Sequence, residues 1–531
     1  MLNTSGINKF NKIFLMVFLI LQPVFEMFSN VFGEEKFTLA GVSIAVVLKY
    51  AMFLVLFVLA VLPNIKRKAA KAFIGYIGAC SIFVILQYIN MHNYDVHIFE
   101  GSLKKSLVQC VWYATRYIIA IGIIFLVYLL EFDYKDFKTA VIFTMAIAVL
   151  SIIITNLLGM DYISYNYGSK DHPDGSLLSW FTSEIEFNWR RFTSRGLFSS
   201  GNIIGSFLSV GLPATAYFAF KTKKIPLYIL TFLQLVTMLM ISTRIAVYGA
   251  VLLFVGSIGI WAFDLIFNKK KFELKNTLAI VAIIAAFGIL FSVSPFYSRM
   301  KNGEGFDVNY TENENSNDEN IEDLIIEMPD ASDEETGMNR EEINLHNHKV
   351  KLDYIKNNFA YHSIHFSFIH SLYNYEEHTD FWFNLMTKVD FSKRNSSRKI
   401  KSLILQDIVE TKGDILDKIV GIGGISIYPE TDYVAMYCYL GVLGLILFLF
   451  PIIAILILSI IRVLIDLFKR KFDPFYYSLI LSLGFILVTA YYSGHALSIS
   501  FVNVYIGLFS GMLFKKLLIK KGSEEVSNNE D

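Results

Sequence analysis

The sequence predicts an all-α integral membrane protein with about 12 transmembrane helices and one large extracytoplasmic loop between helices 9 and 10. Of the 531 residues, 54% are hydrophobic and only 18% are charged, whereas a soluble domain carries about 25% charged residues. Apolar runs long enough to cross a bilayer as a helix, about 20 residues, recur along the chain. These observations exclude a cytosolic enzyme, a nucleic-acid-binding protein, a secreted disulfide scaffold and a β-barrel, whose strands alternate over about ten residues.

Each predicted span is an apolar run bounded by polar or charged residues. The predicted spans are 13–32, 38–62, 72–91, 107–130, 139–158, 197–220, 225–242, 245–267, 277–294, 432–461, 475–492 and 497–514. We interpret the first run as a span and not as a cleavable signal, because it is long and because Gln22, Pro23 and Glu26 interrupt it.

The distribution of lysine and arginine predicts the orientation of the chain. Acidic and basic residues are equal in number, at 47 each, so the net charge itself is uninformative. With the N-terminus inside, the cytoplasmic segments hold 22 basic residues and the short outer segments hold 8. Because short cytoplasmic loops are enriched in lysine and arginine, we expect both termini, including the tail 515–531, to be cytoplasmic. The expected location is the cytoplasmic membrane, with membrane helices in 1–294 and 432–514.

The extracytoplasmic loop, residues 295–431, has two parts of different composition. Within the first part, 295–344, the stretch from Glu304 to Glu342 holds 15 acidic residues and one arginine. Such a segment buries too little apolar surface to order itself, so it is predicted to be a disordered tether, with calcium binding as an alternative. The second part, 345–431, is aromatic and amphipathic. It is predicted to form helices on the outer bilayer face or a small soluble subdomain.

Neither the cysteines nor the histidines follow a metal-binding pattern. Cys80, Cys110 and Cys438 lie in apolar runs and form no Cys-x-x-Cys pair, so we expect them to act as small hydrophobic residues. The loop histidines lack the spacing of a helical zinc site, and they are His362, His365, His370 and His378. We therefore predict no metal and no cofactor.

Ionisable residues collect at the predicted outer ends of the spans, where burial is costly and function is the default hypothesis. They are Glu26, Arg190, Arg191, Arg195, Arg244, Glu430, Asp432 and His495. Guanidinium groups bind phosphate in a bidentate manner, and carboxylates or histidine can accept a proton from a hydroxyl group. Together they could bind an isoprenoid diphosphate and activate an acceptor alcohol. The alternative is contact with lipid headgroups, above all for Arg190 and Arg191. Lys49 and Arg116, within spans, could also reach headgroups or form an internal pair.

Three segments resemble the superfamily of O-antigen ligases and O-antigen polymerases. They are RFTSRGLFSSGNIIGSFLSVGLP (Arg191–Pro213), STRIAVYGAVLLF (Ser242–Phe254) and PETDYVAMYCYLGVLGLILF (Pro429–Phe448), the last with a Gly-x-x-Gly motif. The ending YYSGHALSISFVNVYIGL is similar to Gly-His endings in Gram-positive members. The span count and the position of the large loop are also similar to the ligase arrangement.

The resemblance implies a metal-independent membrane glycosyltransferase that polymerises or ligates oligosaccharides carried on undecaprenyl diphosphate. Its partners would be this donor, a glycan acceptor, the lipid bilayer and other membrane proteins of polysaccharide assembly. Arg195, Arg244 and Arg191 would bind the diphosphate. The sequence departs from the ligase pattern at one place: Glu430-Thr431-Asp432 stands where ligases have a His-Asn pair. We therefore expect Glu430 or Asp432, assisted by His495, to serve as the base.

Two other functions are compatible with a polytopic chain. A flippase or exporter for the same lipid-linked glycan would use internal repeats and binding sites at the membrane midplane. No convincing repeat is found, and the polar residues gather at one predicted face. A sensor that binds a ligand through its acidic loop would need an output domain, and no segment resembles one. The face bias therefore favours chemistry at the outer membrane–water interface, in capsule, exopolysaccharide or cell-wall glycan synthesis.

Overall fold

The protein is an all-α integral membrane protein, as predicted. The structure, a computed structural model, describes residues 4–32, 38–39, 42–93, 107–165, 170–182, 188–301, 340–359, 374–388, 396–424, 429, 431–492 and 494–518. Within these residues the only extended pairing is a two-residue antiparallel ladder, with Thr38 opposite Ser43 and Leu39 opposite Val42.

The described helices are numbered here in chain order. The helices before the large loop are α1 (Thr4–Ile20), α2 (Gln22–Phe32), α3 (Ile44–Val61), α4 (Lys68–Asn93), α5 (Leu107–Leu129), α6 (Tyr134–Leu157), α7 (Gly201–Thr222), α8 (Ile225–Ile241), α9 (Arg244–Phe267) and α10 (Leu274–Ser292). The helices from the loop onward are α11 (Pro295–Lys301), α12 (Arg340–Phe359), α13 (Thr379–Lys388), α14 (Ser396–Gln406), α15 (Ile415–Val420), α16 (Asp432–Gly444), α17 (Phe450–Phe468), α18 (Pro474–Tyr492) and α19 (Ser500–Leu518).

Ten helices in the described part of the chain are long and apolar enough to cross a membrane, or 11 when α1 and α2 are taken as one bent span. The apolar helix α8 is shorter, at 17 residues. The 12 predicted runs all fall on these helices, whereas the number that cross the membrane remains a prediction.

The first predicted span is bent, not straight. The axes of α1 and α2 differ by 45° at the break around Leu21. Pro23 has no N–H to donate to the carbonyl of Leu19 four residues earlier. That carbonyl instead accepts a hydrogen bond from Tyr505 Oη at 3.1 Å. A side chain from α19 therefore replaces the lost backbone donor, which is how a membrane helix tolerates a break.

The centre of the membrane region is α7, which is buried from Ile203 to Phe220. It packs against α6, α8, α9, α18 and α19. Gln234 of α8 connects the two helices, because its Nε2 donates to Leu208 O at 2.8 Å while its Oε1 accepts from Thr215 Oγ1 at 2.8 Å. The buried polar atoms of this amide are thus paired within the helix bundle.

The chain divides into two compact units. The first comprises Met1–Ile85, Val111–Gly303 and Leu443–Asp531. The second comprises Leu86–Cys110 and Glu304–Val442. In the second unit α12 packs against α13, and an ion pair joins Lys351 Nζ to Asp380 Oδ1 at 2.7 Å.

The tenth predicted span, 432–461, is not one continuous helix. Gly441 interrupts it with φ 63° and ψ −174°, and a π-helical turn at Leu445–Leu449 leads into α17. A Cβ at Gly441 would lie 2.3 Å from Ile419 O, so both the backbone conformation and the space require glycine.

The carbonyl groups before this break are satisfied by the second unit itself. Gly423 N donates to Tyr439 O at 3.1 Å, and Ile422 N donates to Cys438 O at 3.0 Å. The Gln87 amide also donates to Tyr439 O, at 2.7 Å. The break is therefore a built feature in which other backbone and side-chain donors replace the helix's own.

Candidate functional site

Arg195 lies in the segment that leads into α7, and it is fully buried. Its backbone N donates to Tyr162 O at 2.9 Å, and Tyr162 N donates to Gly196 O at 3.0 Å. The preceding Ser194 N donates to Met240 O, near the end of α8, at 2.8 Å. The guanidinium carbon lies 5.9 Å from the centroid of the Tyr162 ring. Backbone bonds to two other segments thus fix the position of this arginine.

The N-termini of α7 and α9 meet beside this segment. Ser200 caps α7, and Thr243 caps α9 by accepting a hydrogen bond from Ala246 N at 3.3 Å. A Cβ added to Gly201 would lie 3.1 Å from Thr243 Cγ2, which shows how closely the two helix ends approach. Each helix N-terminus carries a partial positive charge and unpaired N–H groups. Two such ends side by side form an environment that favours an anion.

Arg244 is the first residue of α9 and follows a tight turn. Helix α8 ends at Ile241, and the residue that follows it, Ser242, has a left-handed φ of 54°. Only Ser242 and Thr243 lie between the two helices, so the chain reverses directly into α9. The Arg244 side chain is exposed, and it forms no ion pair or hydrogen bond with any residue that the structure describes. No described residue therefore neutralises the charge of Arg244.

Arg299 lies near Arg244, and it was not among the site residues predicted from the sequence. It is 4% exposed, and its Nη1 donates to Tyr165 Oη at 2.8 Å. Tyr165 Oη in turn donates to Ser242 O at 2.7 Å, so the chain of contacts reaches the turn before Arg244. The Arg299 guanidinium also lies 5.0 Å from the Trp189 ring centroid. Burial lowers the pKa of Arg299, and the positive charge of Arg244 lowers it further.

The sequence did contain a signal for Arg299. It lies seven residues beyond the end of α10, so it satisfies the same criterion of a charge near a predicted outer span end that selected Arg244. Its contacts to Tyr165 and Trp189 join positions more than a hundred residues apart, and no local pattern indicates them.

Arg191 and Arg190 are placed differently from Arg195. Arg191 is exposed and binds Asp174, with Nε and Nη2 at 2.9 and 2.5 Å from Oδ1. This hydrogen bond raises the pKa of Arg191. Arg190 is also exposed, and its guanidinium lies 5.6 Å from the Trp189 ring centroid.

His495 occupies a strained turn between α18 and α19. Both Gly494 and His495 have left-handed backbone angles, with φ of 59° and 61°. For a residue with a side chain this conformation costs about 1–2 kcal/mol, and such strain concentrates at functional sites. The histidine is half-buried.

Two helices, α2 and α3, contribute ionisable groups within the predicted spans. Lys49 of α3 is buried, and its Nζ donates to Ser500 Oγ at 2.5 Å. Glu26 of α2 accepts a hydrogen bond from Ser199 Oγ at 2.5 Å. Both contacts end on segments that start a helix, α19 and α7 respectively. Lys49 therefore forms an internal contact, which was one of the two roles that the sequence left open.

The candidate carboxylates belong to the second unit. Asp432 is fully buried and is the first residue of α16. The preceding Thr431 Oγ1 lies 3.2 Å from Ser402 Oγ of α14. Glu430 lies outside the described residues. The structure thus brings Arg195, Arg244 and His495 into one unit and Asp432 into the other.

A family model described as O-antigen ligase like membrane protein matches residues 7–520. The chain belongs to this family. No curated protein and no solved structure matches the chain significantly. The family match confirms the resemblance that was drawn from short motifs. In this O-antigen ligase-like protein, the motifs that start at Arg191 and at Ser242 are the two that meet at the N-termini of α7 and α9.

The described part of this O-antigen ligase-like chain contains no group of three or more histidine, cysteine, aspartate or glutamate residues that could hold a metal ion. His378 is nearly buried, whereas His362, His365 and His370 lie outside the described residues. The acidic residues 302–339, including the alternative calcium-binding positions, also lie outside them. All three cysteines are free and buried.

Proposed function

We propose that the protein transfers an oligosaccharide from undecaprenyl diphosphate to a hydroxyl group of a glycan acceptor. The reaction would occur at the outer face of the cytoplasmic membrane and would polymerise or ligate an envelope polysaccharide such as a capsule or exopolysaccharide. Membership of the O-antigen ligase-like family supports glycan transfer. The nature of the lipid carrier rests on the chemistry of the arginine site.

The observation that carries the proposal is the meeting of two helix N-termini with Arg195 and Arg244. In the reaction, the acceptor oxygen attacks the anomeric carbon, the bond from that carbon to the diphosphate oxygen breaks, and the diphosphate leaves with the electron pair. Negative charge grows on the leaving group, and fixed positive groups aimed at that charge lower the barrier. We assign this stabilisation to the arginines and to the helix N-termini, and not to a metal ion.

Arg299 extends the proposed diphosphate site. Its guanidinium is held by Tyr165 and Trp189, and its pKa responds to the charge of Arg244. An oligoanion that binds between these arginines would relieve their mutual repulsion. Arg191 stays a candidate for the same role, although it must exchange Asp174 for the ligand.

The proposed base is a carboxylate of the Glu430–Asp432 segment, assisted by His495. The proton of the acceptor hydroxyl would pass to this carboxylate as the new glycosidic bond forms. Asp432 is the candidate that the structure describes, because it is fully buried and is the first residue of α16, next to the end of the loop. General base catalysis contributes about 10²–10⁴-fold in rate.

The experiment is a transfer assay with the purified protein in nanodiscs. The donor is the undecaprenyl-diphosphate oligosaccharide of the producing cell, and the elongated product is separated by chromatography. We expect Glu430→Gln or Asp432→Asn to lower the rate about 100-fold or more, and His495→Gln to lower it less. Asp353→Asn, which removes an exposed carboxylate of α12, should retain the wild-type rate.

The alternative function, a flippase or exporter, predicts another result in proteoliposomes. A flippase would equilibrate the lipid-linked oligosaccharide between the two leaflets and form no new glycosidic bond. Such movement without any product in the transfer assay would overturn the proposal.

A further inference from the structure

A cavity of about 830 Å³ lies in the first unit at the C-terminal end of α7, away from Arg195. Its wall comes from the C-terminal ends of α7, α9, α17 and α19 and from the start of α18. The bias of basic residues predicts that this end faces the cytoplasm. The cavity is thus separate from the proposed transfer site.

The carboxylates that line this cavity are already neutralised. The structure shows four, and each forms an ion pair with a basic side chain. The pairs are Asp264 with Lys270 at 2.8 Å, Glu273 with Lys223 at 2.8 Å, Asp466 with Arg462 at 3.0 Å, and Asp473 with Lys516. The paired carboxylates therefore give the cavity no excess negative charge that would attract a cationic ligand.

Several donors in the same wall have no acceptor among the residues that the structure describes. Lys221 and Lys471 form no ion pair there, although Lys221 Nζ lies 4.8 Å from the centroid of the Tyr134 ring. Trp261 Nε1 and Tyr477 Oη are buried and lack a hydrogen-bond partner. A buried donor without an acceptor is costly, so these groups indicate a ligand that supplies oxygen acceptors.

The charge and shape of the wall narrow the class of ligand. Two ammonium groups in excess of the ion pairs favour an anion, and an indole N–H in the same wall favours an anion with several oxygen acceptors. Phe220 and Phe472 supply apolar surface beside these donors. Basic pockets between helices on the cytoplasmic side of a membrane are suited to phosphate-bearing headgroups.

We propose that this cavity binds a phosphate ester, in which Lys221, Lys471 and Trp261 contact the phosphate oxygens. The ester is either the headgroup of an anionic phospholipid or a soluble phosphate ester. Both sources present the same phosphate to the same donors, and the experiment separates them.

The test uses the full chain in phosphatidylcholine nanodiscs with two probes. Phosphatidylglycerol is added to the bilayer in one arm, and glycerol 3-phosphate is added to the buffer in the other. Trp fluorescence and the thermal unfolding midpoint report binding. We expect saturation in at least one arm, and a loss of affinity of about tenfold or more in the double variant Lys221→Gln, Lys471→Gln. The double variant Lys271→Gln, Lys275→Gln removes two exposed lysines outside the cavity and should bind as the wild type does.

Further variants keep the test decisive if the glutamine variant is unstable. Lys221→Arg with Lys471→Arg preserves both charges and should still bind, whereas Trp261→Phe removes only the indole N–H and should weaken binding. Saturation by phosphatidylglycerol alone identifies a lipid headgroup, and saturation by glycerol 3-phosphate identifies a soluble ester. No saturation in either arm, or equal losses in the cavity variant and the control variant, would overturn the proposal.

Discussion

The two ends of α7 differ in how the charged side chains around them are paired. At its N-terminal end Arg244 is exposed, forms no ion pair with any described residue, and lies close enough to Arg299 to lower the pKa of that residue. At its C-terminal end each of the four carboxylates that line the cavity pairs with a basic side chain, as Asp264 does with Lys270. Gathering like charges is unfavourable unless a ligand neutralises them, whereas ion pairs close to the surface serve the fold and contribute little each. The contrast supports the proposal that the N-terminal end of α7 binds an anionic substrate.

The largest expected effect is that of Arg244→Lys. Lysine keeps the charge but lacks the planar pair of donors that binds phosphate, and losing one stabilising donor of this kind costs about 10²–10³-fold in rate. We expect cells that carry this variant to make short glycan chains at normal protein abundance, measured by gel electrophoresis of the glycan and by immunoblot. Wild-type chain length in both Arg244→Lys and Arg244→Ala would show that Arg244 does not bind the diphosphate, and it would contradict the proposed difference between the two ends of α7.

Gly201→Ala should have the next largest effect, because it separates the two helix N-termini. The added Cβ would lie 2.9 Å from Ser164 Cβ and 3.1 Å from Thr243 Cγ2, and overpacking of this kind costs roughly 1–3 kcal/mol. We expect a lower unfolding midpoint and less product in the transfer assay. Gly259→Ala in α9 is the matched control, since nothing lies within 4 Å of its Cβ position. If both variants have the same unfolding midpoint and form the same amount of product, the close approach of α7 and α9 does not contribute to function.

Lys12→Met tests an ion pair on the side of the membrane where α7 ends, and we expect a smaller effect on stability. Lys12 pairs with Asp133 at 2.9 Å and with Asp136 at 2.5 Å, and all three side chains are partly exposed. Partly exposed pairs contribute about 1 kcal/mol or less. The unfolding midpoint should therefore fall slightly while the transfer rate stays at the wild-type value. A large loss of transfer would show that charges at this end also serve the reaction.

Arg190→Lys should have almost no effect. Arg190 is exposed, and its guanidinium lies 5.6 Å from the Trp189 ring centroid. A lysine can reach the same headgroup region. Chain length in complemented cells should match the wild type. Shortened chains from this variant would extend the diphosphate site to Arg190.

Hydropathy was sufficient to locate the helices, because the apolar length needed to cross a bilayer is a local property of the sequence. It could not locate the break at Gly441. A glycine in an apolar run is common in membrane helices, and this one is set by contact with Ile419. The bend after Ile20 was better indicated, since Pro23 removes a backbone donor, although the replacement by Tyr505 comes from the far end of the chain.

The candidate site was predictable only in part. Arg195, Arg244 and His495 were selected from their positions at span ends, whereas their surroundings depend on contacts between distant segments. The buried state of Arg195 follows from backbone bonds to Tyr162, and nothing near residue 195 in the sequence indicates it. The inclusion of Arg299 likewise depends on Tyr165 and Trp189.

The most direct test is the binding of undecaprenyl diphosphate itself, without any sugar, to the purified protein in nanodiscs. We expect saturable binding that weakens about tenfold or more in Arg244→Ala. Binding should be unchanged in Arg190→Lys and in the double variant Lys221→Gln, Lys471→Gln. Equal affinity in the wild type and in Arg244→Ala would contradict the claim that the N-terminal end of α7 is the diphosphate site.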